Sequence, residues 1–547
     1  MFHNHIIFLR HQLISIMKRY LAISQTKSQW ISILIAFVVL LGVRIYYISQ
    51  KESMHADEAL SICISNRNEY GFWSKNYELN HEYTAKELKD MSLWDDASVR
   101  DALSDVYHMH QVNRDAPHSN FYYSLFRLWF TGVKTSNLTY IYWRGCLLNV
   151  LFFVISFFFM TLLLRRFTEN PIILGLCLLI AFINPPSLSL TVFMRPYELQ
   201  QTFLIILALF VTWCFQTKEA GESIETKKTF AVGTIVLALT MLAAYINMIL
   251  IGFYGLFIIF YCIRKKDYRL LKFFVIMFIA ALIVAKLLYF DFGNLGYREQ
   301  DATANLQVSV ILENIVAIKE ALLKLVFTNV YFGLFCQITV IATICTVFVK
   351  EAKAHCSLIL PVIAAINLIA FFVIMYMVPV DMKFLRYVAP LFPLFSLCFI
   401  NMGIWGIHKL AFPALAALLL ILSLIQFNGK RSIVEHLDDA YISILFKDLK
   451  KNSDVPIFVR GELTWKHAYL IPFLNDESTV IFISNFSEIT GKYAEKIPCI
   501  YVNEIEGDFD NPDEEYFKYN AEELSIEPLT PVHYHNVYMV HKAQASN

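Results

Sequence analysis

Charged residues are scarce in this chain, and the two signs cancel. They make up 17% of 547 residues, with 46 basic and 46 acidic side chains, so no excess of positive charge points to a nucleic-acid partner. The ten cysteines show no CxxC spacing, which argues against the common zinc motifs. Only Cys63 and Cys499 fall outside the apolar segments, and a disulfide between them is the less favoured interpretation. Internal repeats and low-complexity tracts are also missing.

Apolar residues are abundant instead. With 57% hydrophobic residues and a mean hydropathy of +0.50, the chain is predicted to be a polytopic α-helical membrane protein. A helix crosses about 30 Å of hydrocarbon at roughly 1.5 Å per residue. Eleven segments are predicted to do so, namely 30–48, 144–164, 172–190, 197–215, 230–246, 248–263, 271–290, 331–349, 356–378, 387–403 and 410–427. No cleavage site follows the first, so residues 1–29 are predicted to be a cytoplasmic N-terminus.

Basic residues predict the orientation of these crossings. If 119–132, a short apolar segment containing Arg127, lies at the interface instead of crossing, the basic connections all fall on the cytoplasmic side, as the positive-inside rule requires. The loop 49–143 and the segment 428–547 then lie outside the cytoplasm. The membrane domain is therefore predicted to be 30–427, and the compact loops favour a bacterial inner membrane.

The polar segments are predicted to be structured. Apolar residues at helical spacing predict one or two amphipathic helices in 82–112 and another in 306–327, which is interpreted equally well as a lid or as a surface helix. The segment 428–547 alternates short apolar runs with helix-like stretches, which predicts a small α/β domain. Since that domain has no Gly-rich phosphate loop and no nucleophile motif, support of the membrane domain or acceptor contact is expected of it.

The tetrad His55-Ala56-Asp57-Glu58 follows the first crossing directly. Adjacent carboxylates at a membrane surface can act as general base, as metal ligands or as both. The alternative is a solvated helix start, where the helix dipole favours negative charge.

Three later segments lie on the same predicted side. His118, Tyr122 and Tyr123 open the interfacial segment, Arg195, Tyr197 and Glu198 precede or begin the fourth crossing, and Lys383, Arg386 and Tyr387 precede or begin a late one. Arginine suits a phosphate or a carboxylate ligand. The alternatives are a membrane anchor for the tyrosines, an ion pair with Asp57 or Glu58 for Arg195, and snorkelling for the late cations.

In order and spacing, these four segments resemble the GT-C superfamily of membrane glycosyltransferases, in the branch of protein O-mannosyltransferases and the lipid A aminoarabinose transferase. Asp57-Glu58 match the family's acidic pair, and His118 with Tyr122-Tyr123 match a His-Pro-Pro-Leu-Tyr-Tyr segment in which Ser119-Asn120 replace the prolines. Arg195-Pro196-Tyr197 match an Ala-Arg-Pro-Tyr motif with Met194 in place of alanine, and Arg386-Tyr387 match a late Arg-Tyr.

The resemblance implies inverting transfer of a sugar from a polyprenyl-phosphate carrier to a lipid, glycan or protein acceptor outside the cytoplasm. Asp57 would be the base, Arg195, Lys383 and Arg386 would stabilise the departing phosphate, and Glu58 and His55 would orient Asp57 or help to hold a divalent ion. Some relatives need a metal and others do not, so metal dependence stays open. Membrane lipids are the remaining expected partners.

Two other classes compete with an enzyme. A transporter or lipid flippase would also be polytopic, although it would place ionisable groups at mid-membrane, whereas Arg44 and Lys286 are expected to snorkel outward. A noncatalytic scaffold of cell-surface polysaccharide assembly would not need Asp57.

Overall fold

The structure is a computed structural model in which helices form a membrane domain beside one small sheet. It describes residues 26–51, 55–66, 78–92, 98–115, 118–135, 137–294, 308–328, 330–348, 358–378, 385–404, 411–430, 449, 454–461, 471, 474–504, 524–529 and 535–543.

The first helices carry the acidic pair and the loop that follows it. They are α1 (Lys27–Ser49), α2 (Ala56–Asn66), α3 (Ala85–Ser92), α4 (Val99–Gln111) and α5 (Phe121–Trp129). A capping box of Thr26 and Gln29 starts α1. The prediction of one or two helices in 82–112 is confirmed by α3 and α4, and α5 is a short helix within the segment predicted to lie at the interface.

The remaining helices, apart from the four-residue helix Ser487–Thr490 in the C-terminal segment, form most of the membrane domain. They are α6 (Leu138–Leu164), α7 (Pro171–Phe182), α8 (Pro185–Val192), α9 (Tyr197–Glu219), α10 (Lys227–Ala243), α11 (Asn247–Lys265), α12 (Tyr268–Leu288), α13 (Val308–Thr328), α14 (Val330–Phe348), α15 (Ile359–Met377), α16 (Phe392–Phe395), α17 (Leu397–Ile404) and α18 (Ala411–Lys430). Two 3₁₀ turns, Leu385–Tyr387 and Ala389–Leu391, precede α16.

Six of the described helices are long and apolar enough to cross a membrane, and α7 with α8 would make a seventh span if the bent pair is counted as one. Every predicted crossing contains a helix, but two of them are not continuous. The segment 387–403 is divided among short helices, and 172–190 bends by 59° between α7 and α8. The count of eleven therefore stays a prediction, as does the lid role of α13.

Local sequence explains the bend between α7 and α8. Asn184 caps α8 through the amide of Ser187 at 3.0 Å, and Pro185 and Pro186 follow it. Proline donates no backbone hydrogen bond and disfavours helical conformation in the residue before it, so α7 cannot continue. A long apolar run alone did not reveal this break.

The sheet has six strands in the order β1-β3-β2-β4-β6-β5. They are β1 (Glu82–Thr84), β2 (Ile457–Arg460), β3 (Thr479–Ile483), β4 (Cys499–Glu504), β5 (Leu524–Pro528) and β6 (His535–Lys542). Strands β2, β3 and β4 are parallel neighbours, and the outer pairings are antiparallel. The predicted α/β character of the C-terminal segment is confirmed, but β1 comes from the first loop, which was not predicted.

Hydrophobic packing connects the two parts. One core lies among the long helices, and a second runs from α5 and α6 to one face of the sheet. Cys63 and Cys499 are both buried and free, so the disulfide that was weighed between them is not present. The second core fixes the described parts of the loop 49–143 at one end of the helical domain, called here the site end.

Candidate active site

Glu58 holds the acidic helix against the turn that precedes α9. Its side chain is fully buried. Oε2 accepts hydrogen bonds from the Lys51 ammonium at 2.9 Å and from the His55 amide at 2.8 Å, and Oε1 accepts one from the Met194 amide at 2.9 Å. Both carboxylate oxygens are engaged within the protein, so in this structure Glu58 positions its neighbours instead of facing a ligand.

Asp57 is the accessible acid of the cluster. Oδ2 accepts a hydrogen bond from Arg386 Nη1 at 2.8 Å and lies 3.8 Å from His55 Nδ1. The Asp57 side chain keeps 23% exposure, against 6% for Asp115 and none for Glu58. Among these three carboxylates, Asp57 is therefore the one that an incoming ligand can reach.

Positive charge around Asp57 keeps it ionised. Burial acts to raise the pKa of Asp57, but its electrostatic interactions with His55, Arg386 and Arg195 lower it by more, so the pKa lies below the usual range of an aspartate. The carboxylate is therefore available as a proton acceptor at neutral pH.

Arg195 pairs with an acid that the sequence did not single out. Its Nη2 donates to Asp115 Oδ2 at 3.2 Å, and its Nη1 donates to the Asp57 carbonyl oxygen at 3.2 Å. The predicted ion pair with Asp57 or Glu58 is thus replaced by a pair with Asp115, which also accepts a hydrogen bond from the Tyr123 hydroxyl. Arg195 Nε is buried and has no partner among the described residues.

His118 lies beside this pair and is buried from solvent. Its ring is 7% exposed and meets the Tyr197 ring edge-on at 5.8 Å. Burial lowers the pKa of His118 to about 4 despite the opposing charge of Asp115, so the imidazole is neutral at neutral pH. Its Nδ1 has no hydrogen-bond partner in the part of the chain that the structure describes. With Arg195 Nε, it forms a pair of buried polar atoms suited to a polar ligand.

Aromatic rings surround the two arginines. Tyr197 stacks on Phe193 at 5.9 Å and meets Tyr387 edge-on at 6.3 Å, while the Tyr387 hydroxyl accepts a hydrogen bond from Arg386 Nη2 at 3.2 Å. The sequence-predicted residues Tyr197, Arg386 and Tyr387 are thus brought together with Asp57. Lys383 lies outside the described residues, so its role remains a prediction.

Tyr122 and Glu198 do not reach this cluster. Tyr122 is fully buried and its hydroxyl donates to Asn149 Oδ1 at 3.3 Å, so a headgroup anchor does not fit its position. Glu198 is fully buried and accepts hydrogen bonds from Gln201 at 2.7 Å and from Thr191 at 3.2 Å. Helical periodicity turns both side chains into the protein, so their role in binding substrate stays a prediction.

Arg44 belongs to the same buried network as Glu198. Its guanidinium is fully buried, lies 3.7 Å from the centre of the Phe153 ring, and donates to Thr191 Oγ1 at 3.1 Å and to the Phe182 carbonyl at 3.2 Å. The expectation that Arg44 snorkels outward is therefore wrong. The carbonyl it binds is left without a helical partner where α7 ends, which is why a cation is favourable there. Lys286 is exposed, as expected.

Asn120 and Asp115 were overlooked as organising residues. Asn120 donates to the Met109 carbonyl at 2.8 Å and accepts from the Arg114 amide at 3.1 Å, which ties the end of α4 to the start of α5. The departure from the family motif at Ser119-Asn120 was the available signal, since a polar pair in place of prolines supplies donors that prolines lack.

The residues suggested for a divalent ion do not fit one. No group of three or more His, Cys, Asp or Glu side chains suited to a metal occurs in the described ranges. Both carboxylate oxygens of Glu58 already accept hydrogen bonds from protein donors. His55 Nδ1 accepts a hydrogen bond from the Asp57 amide at 3.0 Å.

The fold and the cluster define a class: an integral membrane protein of the polytopic helical type, with a carboxylate and two arginines at one end of its bundle and a small α/β domain beside them. No family model and no curated protein matches the sequence.

Two solved structures of ArnT and one of an oligosaccharyltransferase show a likeness to this chain. ArnT from Cupriavidus metallidurans bound to undecaprenyl phosphate has 9% identity and a TM-score of 0.47, covering 95% of this chain and 99% of ArnT. The apo state of the same protein has 11% identity and a TM-score of 0.47, and the match covers 93% of this chain and 97% of ArnT. The Archaeoglobus fulgidus oligosaccharyltransferase in complex with Zn and sulfate has 12% identity and a TM-score of 0.38. The match covers 74% of this chain and 60% of the oligosaccharyltransferase chain. Identities and TM-scores this low assign no residue of this chain a role.

Proposed function

We propose that this protein is an inverting glycosyltransferase that moves a sugar from a polyprenyl-phosphate carrier to an acceptor. The observation that carries the proposal is the Asp57 carboxylate, which is ionised, partly exposed and paired with Arg386 beside a second arginine, Arg195. One site then combines a proton acceptor with cations for a leaving phosphate, which are the two groups that such a transfer needs.

Asp57 acts as the general base. It takes the proton from the acceptor hydroxyl or amine while that group bonds to the anomeric carbon, and the bond from this carbon to the carrier phosphate oxygen breaks. The electron pair leaves with the phosphate. Because attack and departure occur on opposite faces of the sugar, the configuration inverts.

The arginines receive the departing phosphate. Arg386 gives up its 2.8 Å contact with Asp57 when the carrier binds, so the phosphate takes over the guanidinium and the pKa of Asp57 rises toward a more effective range for a base. Arg195 stays on Asp115 through Nη2 and offers Nε, while His118 offers a neutral ring nitrogen. Lys383 is the further cation proposed from the sequence.

Orientation follows from the charge pattern. By the positive-inside rule, the basic connections support a topology in which the site end lies outside the cytoplasm. We propose a bacterial inner membrane, in which the carrier would present its sugar on that side. The division into 1–29, 30–427 and 428–547 is part of the same proposal. Since β1 lies in the sheet and α2 contacts the turn before α9, the C-terminal domain would support the loop that holds the base.

A transporter is the second candidate, and Arg44 favours it. A charge buried in the helical bundle and linked through Thr191 to Glu198 is the kind of feature that transport proteins have. However, the hydrogen bonds of Arg44 to residues of α7 and α8 stabilise the bend between these helices, and Asp57, the accessible acid, lies at the site end.

The test is sugar transfer by the purified full chain in lipid, with polyprenyl-phosphate sugars as donors. Asp57→Asn should abolish transfer while polyprenyl phosphate still raises the unfolding temperature. Asp101→Asn, at an exposed aspartate in the first turn of α4, is the matched control and should keep full activity. Equal transfer by Asp57→Asn and wild type would remove Asp57 as the base, and no transfer from any donor would favour the transporter or scaffold.

A further inference from the structure

An apolar cavity lies in the half of the bundle away from the site. Its volume is about 280 Å³, and it is enclosed by α9, α11 and α12 with one residue of α10. On α9 the lining begins at Leu207 and ends at Lys218. Leu207 is ten residues beyond Tyr197, which is roughly 15 Å along a helix that rises about 1.5 Å per residue. The cavity is therefore separate from the Asp57 cluster.

The lining is almost entirely apolar, and Tyr254, whose buried hydroxyl has no partner among the described residues, is an exception. The rings of Phe215, Phe257 and Tyr261 form one wall, with centroids 5.0 to 6.4 Å apart. Lys218 contributes the charge at the far end, but its ammonium already binds Asp267 at 2.9 Å and Glu225 at 3.4 Å. A hydrocarbon is the ligand that such a surface accommodates without loss of hydrogen bonds.

The cavity opens toward lipid. Leu256 and Val275, which line it, are 62% and 46% exposed on the surface of membrane-spanning helices. Gly252 and Gly255 also line it, and a side chain added at either would meet no atom within 4 Å. Protein interiors are close-packed, so an apolar space that is continuous with the bilayer fills with hydrocarbon instead of staying empty.

Exposed basic residues follow the cavity along α11. Tyr261 is the last residue of α11 in the lining, and Arg264, Lys265 and Lys266 come three to five residues later, where the helix ends, and are exposed. Lys265 interacts with Glu219, and Arg264 and Lys266 face solvent.

The volume of the cavity is just below that of the smallest typical ligand pockets, which is roughly 300 Å³. This volume suits one acyl chain and not a whole lipid.

We propose that this cavity binds one acyl chain of an anionic phospholipid, whose phosphate headgroup lies against Arg264 and Lys266. The lipid comes from the leaflet at the end opposite the site. This site is independent of sugar transfer, because the carrier phosphate would lie at the other end of α9.

The test is photolabelling of the full chain in phosphatidylcholine nanodiscs that contain a phosphatidylglycerol with a diazirine on one acyl chain. Peptide mass spectrometry should find adducts in residues 251–261, and Gly255→Leu should reduce them several-fold by filling the space. Gly42→Leu is the matched control, since Gly42 lies in spanning helix α1, also has no atom within 4 Å of an added side chain, and does not line the cavity.

Parallel arms identify the lipid. A phosphatidylcholine with the same diazirine chain should label the cavity less, and equal labelling would overturn the headgroup assignment. A diazirine-labelled polyprenyl phosphate that labels the cavity better than phosphatidylglycerol would overturn the choice of lipid. Equal cavity labelling in Gly255→Leu and wild type would overturn the site itself. None of these outcomes depends on transferase activity, so failure here is distinguishable from failure of the proposed function.

Discussion

Replacement of Arg386 by methionine should make the proposed enzyme sensitive to acid. Arg386 Nη1 lies 2.8 Å from Asp57 Oδ2, and both side chains are largely buried. An opposite charge this close lowers a carboxyl pKa by about 1 to 3 units, which corresponds to roughly 1.4 to 4 kcal/mol of interaction. In Arg386→Met, burial of Asp57 persists without this cation, so the pKa of Asp57 should rise by about that amount.

The assay is the pH dependence of kcat/KM for sugar transfer, because this ratio reports the free enzyme, in which Arg386 contacts Asp57. In the wild type, the acid limb should lie below the usual range of aspartate, since the Asp57 pKa is lowered. In Arg386→Met, the limb should move to higher pH, and the maximal rate should also fall because the leaving phosphate loses a donor.

Two variants separate charge from packing. Arg386→Lys keeps a positive charge and should move the acid limb less than Arg386→Met. Arg269→Met removes an exposed arginine at the opposite end of the bundle and should leave the limb in place. An acid limb that does not move in Arg386→Met would refute the assignment of Asp57 as the titrating base.

Three further outcomes follow from the contacts around the site. Glu58→Gln should lower the free energy of unfolding by about 3 to 5 kcal/mol, because the buried Lys51 ammonium loses its partner, and thermal unfolding checks this; an unchanged melting temperature would contradict the positioning role. Glu198→Gln should reduce stability without raising the KM for the carrier, because the buried carboxylate is hydrogen-bonded to Gln201 and Thr191 within the protein; a raised KM alone would support Glu198 as a binding residue. Gly145→Ala should cost about 1 to 3 kcal/mol, because the added carbon would lie 2.2 Å from Met194 Sδ; a neutral effect would show that the turn before Arg195 can move.

Sequence patterns predicted the helices well because apolar runs of sufficient length have few other stable forms in a membrane. They did not reveal the division of 387–403 or the bend at Asn184, because hydropathy averages over the local effects of proline and capping residues. One of the short apolar runs of the C-terminal segment, Thr479–Ile483, is strand β3, whereas the three-residue β1 is too short to give a periodic signal.

The site was predicted in part. Motif order correctly brought Asp57, Arg195, Arg386 and Tyr387 near one another, because each begins or precedes a helix at the same end. Motif order could not tell which acid pairs with which arginine, because Asp57 and Asp115 both lie in the loop that was predicted on the same side of the membrane as Arg195. It also assigned Arg44 to the membrane surface from its position near the end of α1, although its partners come from α7 and α8.

The strand β1 has a consequence for how the protein is made and for where it can be cut. Glu82 pairs with Ile481, so the first loop gains its place in the sheet only after about 400 further residues have been synthesised. Such distant pairing forms late in folding. A truncated chain ending before β3 would leave β1 without its strand partner, and an isolated C-terminal domain would expose the edge of β3, which favours aggregation. The sheet is therefore complete only in a single, uninterrupted polypeptide.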